Sequence, residues 1–83
     1  MTINVNGKMK EISTKHYFLI KTTDSERSSS YKKICESYDE AVEQVQNYAD
    51  WYCDRGCCKI VEVDSEFNTL RYWNFWKGKL EKN

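Results

Sequence analysis

Residues 37–56 read SYDEAVEQVQNYADWYCDRG, and this stretch decides the fold. Ser37 and Glu40 stand at the spacing of a capping box. The Ser37 hydroxyl can accept from the Glu40 N–H while the Glu40 carboxylate reaches back to the Ser37 N–H. Asp39 and Glu40 also set negative charge at the positive end of a helix dipole. Behind this cap, Ala41, Val42, Val45, Tyr48, Ala49 and Tyr52 recur at i, i+3, i+4 and i+7. Gly56 suits the position just past a helix end, and Arg55 beside it favours the negative pole. The pattern predicts one amphipathic helix over about 38–55.

On both sides of that helix the chain reads as strands. Asn6-Gly7 lies between Ile3 and Val5 on one side and Met9 and Ile12 on the other. Asn-Gly accepts the two positive φ angles of a type I′ turn, so a hairpin is predicted over residues 2–12. Residues 16–22 are β-branched and aromatic without a breaker. Residues 23–30, with Ser28, Ser29 and Ser30 in a row, read as a loop, and 31–35 as the returning strand. After the helix, 57–63 and the aromatic-rich 70–77 are strands, and 78–83 reads as a loose tail. The expected architecture is a single α+β domain over residues 1–83. An antiparallel sheet of about four to six short strands carries the one helix on one face.

The strands are apolar on both sides. Phe18 and Ile20 alternate with Tyr17 and Leu19, Cys58 and Ile60 with Val61 and Val63, and Tyr72 and Trp76 with Trp73 and Phe75. Four strands about 4.8 Å apart make a sheet nearly 20 Å wide. A helix roughly 10 Å across covers one face of it. The other face therefore calls for a cover: a second copy of the chain, a partner protein, stacked bases, or the N-terminal hairpin folded over.

Charge excludes less than its distribution suggests. Thirteen bases balance 13 acids over 83 residues. Residues 1–35 carry +4, 36–66 carry −7 and 67–83 carry +3. On the predicted helix Asp39, Glu40, Glu43, Asp50 and Asp54 cluster opposite the apolar stripe, with no base before Arg55. Such an acidic face repels phosphate and suits a basic partner surface. No apolar run reaches the length of a membrane span, and residues 1–7 do not read as a signal peptide. A cytoplasmic protein without a membrane partner is expected.

Catalytic chemistry finds little foothold. Cys53, Cys57 and Cys58 are close in sequence, Cys35 is distant, and His16 is the lone histidine. These spacings lack the paired knuckles of a zinc site. Adjacent strand cysteines also point to opposite faces. A helix C-terminus disfavours thiolate, and no base adjoins any cysteine. The three glycines, Gly7, Gly56 and Gly78, are isolated, so no phosphate loop is formed. The expectation is a non-enzyme with no cofactor and no metal.

The binding candidates lie in the last strand, where Arg71, Tyr72, Trp73, Phe75, Trp76 and Lys77 interleave bases with aromatics. Asn74 marks the Tyr72–Trp76 side as outer, with Arg71 and Lys77 snorkelling from the ends of the inner side. Tryptophan, tyrosine and arginine dominate protein hot spots. The sequence thus points to a small protein-interaction module, self-associating as a homodimer or inhibiting a partner in the manner of mobile-element proteins. The alternative is a single-stranded nucleic-acid binder that stacks bases on Trp73 and Phe75.

Overall fold

The computed structural model describes residues 1–5, 7–23, 28–49 and 57–82. Two strands come first, β1 (Thr2–Val5) and β2 (Lys8–Glu11), then β3 (His16–Thr23) and β4 (Ser29–Cys35). The helix α1 (Tyr38–Ala49) follows, then β5 (Cys58–Asp64), β6 (Thr69–Trp76) and β7 (Lys79–Lys82). The strands β1 and β2 pair only with each other. The other five form one antiparallel sheet in the order β4-β3-β5-β6-β7. This is the α+β architecture that the sequence predicts.

Helix α1 begins where the capping pattern places it. The Glu40 N–H donates to Ser37 Oγ at 3.1 Å, and the Ala41 N–H closes the first turn on the Ser37 carbonyl. The reciprocal half of the box is displaced by one residue. Glu40 Oε2 accepts from the Glu36 N–H at 3.0 Å instead of from Ser37. The other oxygen, Oε1, takes Lys10 Nζ at 2.9 Å. Glu40 therefore does not belong to an uncompensated acidic face; β2 supplies its base. The predicted continuation of the helix over 50–55 lies outside the described residues.

Correction is also needed at the end of the chain. Residues 79–82 are strand β7, paired with β6 through Trp73↔Lys82, Asn74↔Glu81, Phe75↔Leu80 and Trp76↔Lys79. The connection is a two-residue turn, Lys77-Gly78, with φ of 51° and 75°. Two positive φ values suit the right-handed twist of a hairpin. Glycine takes them without cost, while a lysine there is strained. The tail reading failed because Lys77 hides the turn that an Asn-Gly pair would have announced.

Each face of the sheet has its own core. On one side Ala41 and Val45 of α1 pack on Ile20, Cys35, Cys58 and Ile60, with Phe18, Trp73, Phe75 and Leu80 at the margin. On the other, Ile3, Val5 and Ile12 from the N-terminal hairpin bury Tyr17, Leu19, Ile34, Val61 and Val63, with Tyr31 and Tyr72 at the margin. The second face needs no neighbour, because the hairpin covers it. Strict alternation along β1 points Ile3 and Val5 inward while Thr2 and Asn4 face solvent. Removing each such side chain from water is worth about 1.5–3 kcal/mol.

Both covers sit off-centre. α1 lies over β3, β4 and β5 and reaches β6 only at its margin, and the hairpin, whose side chains pack on β3, β4 and β5, brings its backbone nearest to the sheet at β4. The β4 edge is further closed by Lys10 Nζ, which donates to the Ile34 carbonyl at 3.0 Å. The β6–β7 ribbon at the opposite edge receives the least cover from either side.

Candidate functional site

The ribbon gathers the six binding candidates. Tyr72, Trp73, Phe75 and Trp76 are half-buried, and Arg71 and Lys77 are exposed. They do not share one face. Trp73 and Phe75 turn toward the helix side, where the Trp73 ring lies 4.8 Å from Tyr38 and 6.2 Å from Phe18. Tyr72 packs at the margin of the hairpin-side core. Trp73 and Phe75 are thus partly committed to the domain's own core and do not form an open stacking platform.

Cations lie over three of these rings. Lys59 Nζ is 5.0 Å from the Tyr72 ring centre, Lys77 Nζ 4.6 Å from Trp76, and Arg71 Cζ 5.8 Å from Trp73. A cation over an aromatic face within about 6 Å is attracted by the ring quadrupole. A bulge adds to the exposed apolar surface. Glu62 pairs with Arg71 and Val63 with Thr69, so Leu70 is the extra residue and stands 45% exposed.

Beside the ribbon lies a cluster that the sequence reading missed. Glu62 is only 3% exposed, between Val61 and Val63 in β5, on the face it shares with Cys58 and Ile60. Its carboxylate accepts from Arg71, including Nη2 at 3.5 Å, and meets His16 Nδ1 at 3.1 Å. The Arg71 hydrogen bond is the main reason why the Glu62 carboxyl sits below its usual range; His16 adds to it. Such a group stays ionised and paired, which suits a structural clamp better than proton transfer. A carboxylate flanked by Val61 and Val63, in phase with Cys58 and Ile60, was the available signal.

The remaining candidates scatter. Asp39 and Glu43 are exposed on α1, while Asp50 and Asp54 lie outside the described residues, as does Cys53. Burial pushes the thiols of Cys35 and Cys58 up to about 11, which keeps both protonated near neutral pH. Among the described residues no three His, Cys, Asp or Glu side chains converge as a metal site would require. No helix among them is long and apolar enough to cross a membrane. No family model matches the chain, and no curated protein or solved structure is significantly similar to it.

Proposed function

We propose that the chain is a non-catalytic protein-interaction module that self-associates through the open edge of β7. The observation that carries this reading is the place of β7 at the end of the strand order, beside half-buried aromatic residues that the off-centre cover leaves least sheltered. The closing pair of a two-residue hairpin, here Trp76 and Lys79, exchanges both backbone bonds. Leu80, one residue further, therefore directs its N–H and carbonyl away from β6.

Antiparallel pairing with a second copy has one favoured register. Leu80 faces Leu80 of the copy and exchanges both hydrogen bonds with it. Lys79 then stands opposite Glu81 of the copy, twice by symmetry. Opposite charges at directly facing positions add about 0.2–1 kcal/mol each. The contact is short, so association is weak and concentration-dependent.

Charge reversal tests the register. Sedimentation velocity across a concentration series should show a dimer for the wild-type chain. Glu81→Lys, which sets lysine against Lys79, should shift dissociation by about tenfold or more. Adding Lys79→Glu to that variant should restore association. A monomer at every concentration, or a double variant as weak as Glu81→Lys alone, would overturn the proposal.

One observation favours a second reading, in which the ribbon binds single-stranded nucleic acid. Lys59 and Lys77 stand over Tyr72 and Trp76 on the face away from α1. Base stacking there would show as salt-sensitive oligonucleotide binding that Trp76→Ala weakens.

A further inference from the structure

The β4 edge carries a bulge of its own, with a different consequence from that in β6. Lys33 pairs with Ile20 and Tyr31 with Lys21, which leaves Lys32 as the extra residue. In a regular strand Lys32 and Lys33 would project to opposite faces. With the bulge, both line one groove together with Lys8 and Lys10 of β2 and Tyr48 of α1, over a floor that includes Ile34. The groove is open to solvent and has a volume of about 360 Å³.

Four lysines face one nearby carboxylate, Glu40, which bonds Lys10 and also feels the charge of Lys33. Lys10 is held by Glu40 and by the Ile34 carbonyl, which uses two of its three N–H donors. Lys8, Lys32 and Lys33 make no ion pair among the described residues. Lys8, Lys32 and Lys33 bring three ammonium groups to one concave surface, with the Glu40 carboxylate near Lys33 and bonded to Lys10. Lysine offers a point charge suited to phosphate oxygens, and the Tyr48 hydroxyl can add a neutral donor.

We propose that this groove binds a compact oligophosphate, a diphosphate or triphosphate chain, whose charge matches Lys8, Lys32 and Lys33. The site lies at the β4 edge, across the sheet from β7, and does not depend on self-association. The third donor of Lys10 is left to take a phosphate oxygen.

Inorganic pyrophosphate is the first probe, followed by calorimetry and by amide chemical shifts of the full chain at constant ionic strength. Saturable binding of one pyrophosphate per chain is expected, with the largest shifts at Lys10, Lys32 and Lys33. Lys32→Gln combined with Lys33→Gln should weaken it about tenfold or more while leaving the thermal midpoint nearly unchanged. Tripolyphosphate and a nucleoside triphosphate separate the two sources of such a group. Equal binding assigns recognition to the phosphates alone, and a tenfold advantage for the nucleotide assigns it to a nucleotide ligand. Shifts that fail to saturate, an equal response to sulfate, or a double variant that binds pyrophosphate as tightly as wild type would overturn the proposal.

Discussion

Replacing Ile12 by alanine is expected to destabilise the chain by about 3 kcal/mol, a large share of the total stability of a domain this small. Ile12 is 1% exposed and sits just beyond β2, among Ile3, Val5, Leu19 and Val61. Truncation removes buried methylenes and leaves a cavity between the hairpin and the sheet. The backbone cannot easily close that gap, because the Ile12 N–H is bonded to the Met1 carbonyl at 2.7 Å. Met9, two residues before the end of β2 and 68% exposed, supplies the control, since Met9→Ala should change stability by less than about 0.5 kcal/mol. Urea unfolding followed by fluorescence compares the two. A cost under about 1 kcal/mol for Ile12→Ala would show that the hairpin is a loose appendage and that Leu19 and Val61 find their cover elsewhere.

The second large effect is expected at Glu62. Arg71→Ala leaves a buried carboxylate with the His16 ring as its remaining side-chain hydrogen-bond partner. Removing one member of a buried pair costs about 3–5 kcal/mol when burial is deep. Arg71 and His16 are both about half exposed, so about 2 kcal/mol is the expectation at neutral pH. The acid side gives an independent signature. The folded-state pKa of Glu62 lies below its ordinary value, so its contribution is complete above about pH 4.5 and fades as pH falls through the depressed value. Glu62→Gln should therefore flatten the decline in stability below about pH 4.5 relative to wild type. An unchanged acid slope would mean that the Glu62–Arg71 bond is not maintained in solution. Glu11, Glu40 and Asp64, also lowered by their hydrogen bonds, account for the slope that persists.

Much of the architecture was legible because its signals are local. A cap, a 3.6-residue stripe and alternating strands announce themselves within a few residues, and Ser37, Val45 and Leu19 each sit where such rules place them. The features that escaped are those in which distant segments meet. Lys10 reaches Glu40 across 30 positions, and Arg71 meets Glu62 only once β5 and β6 pair. The cover of the second face stood as one of four alternatives, and the folded-over hairpin was among them, for the same reason. Alternation in β1 reveals that Ile3 and Val5 want burial, but not against which surface. The groove at Lys32 depends on a bulge that strict alternation hides. For the ribbon, alternation separates Tyr72 from Trp73 and Phe75, and the structure keeps that division between the two faces. Its prominence follows from where α1 and the hairpin settle.

Residue-resolved amide exchange, repeated at low and high protein concentration, tests most directly whether β7 is the contact edge. Amides of β3 and β5, central in the sheet and covered on both faces, should exchange slowly at both concentrations. The Leu80 amide should exchange fast in dilute protein and become protected as concentration rises, with little change along β4. A Leu80 amide that stays equally fast at every concentration, or concentration-dependent protection along β4 instead, would contradict the account.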